Sequence, residues 1–328
     1  MLSTTDSPFT TDQLHLYLKR IHYADDANAT DTSRLATLQA AIEKNPLSAL
    51  TELQRRHLAS IPWGNTALHY STHHSISTHP TAVFEKLVVQ GRDGYCTENT
   101  NLLYFVLRAL GYTVYHTAAR VSRAALPGNR DEEGGYIALS HMVLIVRIGP
   151  RKYMVDIGFG RNTPTSPLQL QLEVHIAVCL LAPMEMSLVK EPLSKAVDET
   201  QRFWVYKAHN WNDSDSPWIP QYCFSEVEFL PEDFAMINFF TSQSRTLFFT
   251  QQLVCTRLIL GEGGIRPVGV YVLFGNEVKK VVGDVSEVLV RFMKEQDRVD
   301  ALKMFFGMSF LPHEVEGVRG LSSEIRDG

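Results

Sequence analysis

Gly91-Arg92-Asp93-Gly94-Tyr95-Cys96-Thr97-Glu98-Asn99 runs on into Leu102-Leu103-Tyr104-Phe105-Val106-Leu107-Arg108-Ala109-Leu110 and meets Gly111. A glycine-containing turn followed by this apolar run predicts a helix whose first turn holds Cys96 and whose stop is Gly111. That position suits a nucleophile. Backbone N–H groups without intrahelical partners, and the positive end of the helix dipole, stabilise a thiolate. The same N–H groups can later hold the oxyanion of a tetrahedral intermediate. Taken alone, a cysteine at a helix start is more often an inert, buried small hydrophobe, so other residues must carry the case.

Two such residues follow. His141 opens the run His141-Met142-Val143-Leu144-Ile145-Val146, and Asp156 closes Tyr153-Met154-Val155-Asp156, with Gly149-Pro150 between them. Glycine at the first central position favours a two-residue type II′ hairpin loop. If Ile148 pairs with Arg151, Asp156 faces Val143, and His141 is its diagonal neighbour on the same face, about 7–8 Å away between backbone positions. Singly, His141 reads as a structural histidine and Asp156 as a carboxylate binding backbone at a bulge. Together, after a helix-start cysteine, they form a working nucleophile, base and orienting group.

The bulk properties bound the setting. The 328 residues imply two or three packed subdomains, and 45% hydrophobic with 20% charged residues is globular composition. A net charge of −5 gives no general reason to bind nucleic acid. The polar start lacks the pattern of a secretory signal, and no apolar run is long enough for a membrane span, so a soluble protein is expected. Cys96, Cys179, Cys223 and Cys255 are widely spaced, which argues against a zinc cluster or a disulfide framework and for reduced thiols in a cytoplasmic setting. His69, His73, His74 and His79 cluster without a cysteine or carboxylate between Trp63 and Thr81, and no metal is expected there.

Periodicity divides the chain into three zones. Residues 12 to 60 read as helical through Leu14, Leu18, Ile21, Leu35, Leu38, Ile42 and Leu50. Short β-branched and aromatic runs from Tyr112 onward read as a sheet or barrel. A strand-rich segment is expected from Phe224 through Phe274, then a helical tail from Ser286 to Phe306. The charged, breaker-rich stretch around Asn129 reads as an exposed loop, and Asn210 to Ser216 as a second polar stretch.

These residues resemble the arylamine N-acetyltransferases. The family's RGGYC-type motif corresponds to Arg92-Asp93-Gly94-Tyr95-Cys96, its HxxLxV strand to His141 through Val146, and its VDxGFGR segment to Val155 through Arg161. His57-Leu58-Ala59-Ser60-Ile61-Pro62-Trp63-Gly64-Asn65 is similar to the HxxxIPFEN element, and Asp233 to Asn238 to the DFexxN stretch. Asp93 stands where the family has glycine, and Trp63-Gly64 where it has Phe-Glu. With the three zones, the resemblance implies an α+β fold: an N-terminal helical bundle, a central antiparallel β-barrel and a C-terminal α/β lid, around a papain-like Cys-His-Asp core. The implied borders are 1–92, 93–215 and 216–328. It implies Cys96, His141 and Asp156 as catalytic residues, Phe159 and Arg161 at the acceptor pocket, and Thr241, Ser242 and Ser244 near coenzyme A, with Arg245 close by.

The implied activity is ping-pong transfer from acetyl-CoA, with propionyl-CoA or malonyl-CoA as alternative donors, to a small aromatic amine or hydrazine. Two rivals stand beside it. A papain-like or transglutaminase-like hydrolase would use the same three residue types, and a non-catalytic binding module would explain the Asp93 departure.

Overall fold

The structure is a computed structural model that describes residues 9–25, 30–126, 134–172, 175–178, 184–193, 196–210 and 217–326. Helices α1 (Thr11–Arg20), α2 (Asp31–Lys44) and α3 (Pro46–Ser60) form the N-terminal layer. Each starts on a side-chain cap: Thr10 Oγ1 accepts the Gln13 N–H (3.3 Å), Thr30 Oγ1 the Ser33 N–H (3.1 Å) and Asn45 Oδ1 the Ser48 N–H (3.1 Å). Their apolar stripes converge at Leu14, Leu18, Leu38, Leu50 and Leu53. The short α4 (Pro80–Phe84) passes into a π-turn at Glu85–Val89, which leads to α5 (Cys96–Ala109).

The strands are β1 (Trp63–Gly64), β2 (Thr113–Ser122), β3 (Tyr136–Ile148), β4 (Arg151–Val155), β5 (Leu168–Gln169), β6 (His175–Val178), β7 (Met184–Glu191), β8 (Phe203–Asn210), β9 (Ile219–Phe224), β10 (Val254–Leu260), β11 (Pro267–Phe274), β12 (Glu277–Val282) and β13 (Val285–Arg291). Eight of them form a nearly closed antiparallel barrel sheet in the order β5-β4-β3-β2-β9-β8-β7-β6, and the other five form a sheet in the order β1-β10-β11-β12-β13. This is an α+β fold. Strand membership crosses both expected borders, because β1 joins the late sheet and β9 the barrel.

The central strand β3 explains its own sequence. Leu144 and Val146 pack into the core shared with the helical layer, while Val143 and Ile145 pack with Met154, Trp204, Tyr206 and Tyr222 inside the barrel. A strand buried on both faces reads as an unbroken apolar run, as this one does. Each such side chain contributes about 1.5–3 kcal/mol on burial. The β3–β4 hairpin has the expected register, Ile148 opposite Arg151 and Leu144 opposite Val155, and Gly149 turns the chain at φ 57°.

Two expectations are corrected. Within the segment read as strand-rich lie helices α6 (Pro231–Gln243) and α7 (Phe248–Gln251). In α6, Phe234 faces inward while Met236, Phe239 and Phe240 are exposed, so no single apolar stripe marks it as a helix. The tail expected to be helical from Ser286 begins instead as β13, and helix α8 starts only at Glu295 (Glu295–Phe306). As an edge strand with both faces largely in solvent, β13 lacks the alternation that reveals a half-buried strand. A last short helix, α9 (Pro312–Val315), follows. Residues 127–133 of the loop expected around Asn129, residues 211–216 of the second polar stretch, and Cys179 lie outside the described residues.

Candidate active site

Cys96 is the first residue of α5. The preceding Tyr95 N–H donates to Glu98 Oε2 (3.2 Å), which closes the helix start, and the first intrahelical bond is Asn99 N–H to Tyr95 O (3.0 Å). The N–H groups of Cys96 and Thr97 therefore precede the intrahelical ladder. The thiol lies 3.7 Å from the Ser140 carbonyl, one residue before His141. Cys96 keeps 5% of its surface open, so a substrate must enter through a narrow gap or displace neighbours.

His141 and Asp156 share the barrel-facing side of the hairpin, and His141 Nε2 lies 2.8 Å from Asp156 Oδ2. The Cys96 thiol is near enough to the His141 ring to act on its charge. Burial pushes the imidazole down, but the Asp156 carboxylate and then Cys96 favour its charged form and prevail, raising it to about 10. The Phe159 and Tyr222 rings pack against the imidazole with centroids at 5.2 and 4.9 Å and restrict its rotation.

A fully buried carboxylate needs compensation. Asp156 receives it from two donors, His141 at 2.8 Å and the Gly158 N–H at 2.7 Å. Burial, reinforced by the Asp156 charge, drives the Tyr222 phenol well above its ordinary range, and its hydroxyl donates to Met154 Sδ (3.4 Å). Behind the carboxylate, Gln54 of α3 donates to the Asp156 and Pro164 carbonyls at 3.0 and 2.7 Å.

Gly158 brings the hairpin to Cys96. A Cβ there would lie 2.7 Å from Cys96 Cα and 3.0 Å from the Cys96 carbonyl oxygen, so only glycine permits the approach.

The two departures from the family motifs meet in space. A Cβ on Gly64 would collide with the Asp93 carboxylate, which is fully buried and accepts from both the N–H and the hydroxyl of Thr66. Glycine at 64 and a carboxylate at 93 thus fill one space from the opposite side to the family's Glu and Gly. The turn itself is held by Gly64 N–H to Gly94 O (3.0 Å) and Gly94 N–H to Pro62 O (3.2 Å).

The remaining expected residues divide. Phe159 touches the His141 ring. Arg161 is exposed and lines a small recess with Trp63, Thr163 and Leu258 whose lining does not include Cys96. Thr241 and Ser242 are buried on α6. Ser242 reaches the Tyr95 hydroxyl, and Thr241 Oγ1 has no hydrogen-bond partner among the described residues. Ser244 ends α6 and bonds Thr246 (3.1 Å), and Arg245 is exposed.

Tyr95 also hydrogen-bonds Asn238, tying α6 to the turn before Cys96. Among the described residues no group of three His, Cys, Asp or Glu side chains is placed to hold a metal. His69 has both ring nitrogens bonded, Nδ1 to Ser323 (2.7 Å) and Nε2 to the Phe249 carbonyl (3.1 Å). No helix among the described residues is long and apolar enough to cross a membrane.

Sequence reasoning missed Tyr222 and Gln54. Gln54 had a signal, since it and His57 interrupt the apolar stripe of α3 at Leu50 and Leu53. Tyr222 had none, being one of two aromatics in β9.

A thiol at a helix start, an imidazole beside it and a buried carboxylate behind the imidazole form the constellation of thiol-nucleophile chemistry. The N-acetyltransferase family model matches residues 46–314. N-malonyltransferase FDB2 of Gibberella moniliformis is 32% identical over 283 residues, covering 84% of this chain and 81% of that protein. Two solved structures are similar. The arylamine N-acetyltransferase from Salmonella typhimurium gives a TM-score of 0.73 at 23% identity, over 94% of this chain and 98% of that one. Mycobacterium marinum arylamine N-acetyltransferase in complex with CoA gives 0.68 at 25% identity, over 90% and 92%. The chain belongs to the arylamine N-acetyltransferase family, a family of acyltransferases.

Proposed function

We propose that this protein transfers an acyl group from a coenzyme A thioester to a small aromatic amine or hydrazine through a thioester on Cys96. The observation that carries this reading is the Cys96 thiol at a helix start, against the Ser140 carbonyl next to His141, whose ring bonds the buried Asp156 carboxylate at 2.8 Å.

The Cys96 thiolate attacks the carbonyl carbon of the donor, and the N–H groups at the start of α5 take the developing oxyanion. Collapse expels coenzyme A, whose sulfur receives the proton held by His141. The amine then attacks the acyl-cysteine, His141 accepts its proton, and the Cys96 thiolate leaves. Asp156 keeps one imidazole nitrogen occupied and balances the positive ring. Phe159, against His141, forms a wall for the acceptor ring, with Arg161 at the outer edge of that pocket. Thr241, Ser242 and Ser244 contact the coenzyme A portion. The likeness to N-malonyltransferase FDB2 supports malonyl-CoA as a donor alongside acetyl-CoA and propionyl-CoA. A cytoplasmic setting, where thiols stay reduced, suits this chemistry.

Intact mass spectrometry after mixing the protein with each acyl-CoA, without acceptor, tests the reading. A single acyl adduct on wild type that disappears in Cys96→Ala is expected. An adduct retained in that variant, or no adduct with any donor, refutes it. Arylamine-stimulated release of coenzyme A distinguishes transfer from hydrolysis.

A further inference from the structure

His57 of α3 is fully buried, and no step above uses it. Both of its ring nitrogens are nevertheless engaged. Nδ1 lies 3.0 Å from the Tyr17 hydroxyl of α1, and Nε2 lies 3.0 Å from Asn99 Oδ1 of α5. Burial is the main influence on the ring and pushes it down to about 4, so it is neutral near pH 7 and carries a single proton.

Asn99 determines where that proton sits. Its amide nitrogen faces two carbonyls, Gly94 O at 2.5 Å and Pro62 O at 3.4 Å. Carbonyls only accept, so the nitrogen belongs there and Oδ1 faces the ring. Oδ1 also only accepts, which assigns the proton to Nε2 and leaves Nδ1 to accept from Tyr17. The chain runs one way, from Tyr17 O–H to His57 Nδ1, from His57 Nε2–H to Asn99 Oδ1, and from the Asn99 amide to Gly94 O.

It ends on the peptide just before the nucleophile. Gly94 O also accepts the Gly64 N–H (3.0 Å), and the N–H of the same peptide, on Tyr95, donates to Glu98 (3.2 Å). The Gly94–Tyr95 peptide is therefore held at both ends, and Cys96 follows directly.

We infer that His57 is a positioning residue, which through Asn99 fixes the Gly94–Tyr95 peptide and so holds Cys96 against His141. This rests on Cys96 being the nucleophile proposed above. The helical layer thereby sets the nucleophile's position without touching a substrate.

The test compares His57→Leu, His57→Gln and Tyr17→Phe. The readouts are the iodoacetamide alkylation rate of Cys96 across pH and the melting temperature. Glutamine can present an N–H where Nε2 donates, whereas leucine cannot. Alkylation of His57→Leu at neutral pH is expected to fall by about 10-fold or more, the scale of a sub-ångström misplacement. His57→Gln is expected to stay near wild type, and Tyr17→Phe to melt earlier with unchanged alkylation. If His57→Leu does not fold, His57→Asn replaces it, being too short to reach Asn99. Wild-type alkylation in the variant that lacks the donor, or equal loss in the glutamine variant, overturns the assignment. Because alkylation needs no acyl donor, a failure of the acyl-transfer reading shows separately, as absence of any thioester with wild type.

Discussion

Gly158→Ala is the smallest change that probes how the hairpin meets Cys96. The new methyl would sit 2.7 Å from Cys96 Cα, 2.9 Å from Thr100 Oγ1 and 3.0 Å from the Cys96 carbonyl oxygen. Carbon atoms pack at about 3.5–4.0 Å, so an opening of roughly 1 Å is required. The threonine hydroxyl can rotate away. The two Cys96 atoms are backbone and cannot move unless the first turn of α5 shifts relative to β4.

Overpacking of this kind costs about 1–3 kcal/mol of stability. A displacement of about 1 Å between sulfur and imidazole lowers the rate of acyl-enzyme formation by about 10²-fold. Rapid-quench intact mass spectrometry with an acyl-CoA gives the rate, and thermal unfolding gives the stability. Gly158→Ala acylating as fast as wild type, with an unchanged melting temperature, would refute the reasoning, because the close approach would then not position the thiol.

Two further perturbations follow from the same geometry. Asp156→Asn removes the larger of the two influences that raise His141, so burial, opposed only by Cys96, pushes the ring down; acylation is expected to drop by about 10³–10⁴-fold. Cys96 alkylation at neutral pH should slow in the same variant. The folded-state value of about 10 exceeds the ordinary 6.5, so the stability contributed by His141 is full below 6.5 and is lost as pH rises toward 10. The melting difference between wild type and Asp156→Asn should narrow over that interval, and a constant difference would contradict the assignment. Gly64→Ala should destabilise by about 1–3 kcal/mol through the Asp93 carboxylate. Asp93→Gly in the same chain should recover part of that loss, with a coupling of about 0.5–3 kcal/mol measured by denaturant unfolding. Strict additivity would show that the two positions do not share one space.

Much of the site could be read along the chain because it is local. The start of α5 at Cys96 follows from a glycine turn and an apolar run, and the hairpin register from Gly149-Pro150 with a period of two. Both depend on neighbours within a few residues. The strand identity of β13 and the helical identity of α6 were not legible, because neither buries one clean face.

What the amino-acid order determined by itself is therefore the inventory of chemistry, Cys96, His141 and Asp156, and the local element that carries each. Only the tertiary structure decided how they are held. Tyr222 packs on His141 because β9 lies beside β2 in one sheet, Gln54 and His57 arrive from a helical layer, and Gly64 yields its space to Asp93 across a turn. Such approaches depend on how layers stack and how a sheet closes. Those are sums over many weak, distant contacts, and no short window of sequence contains them.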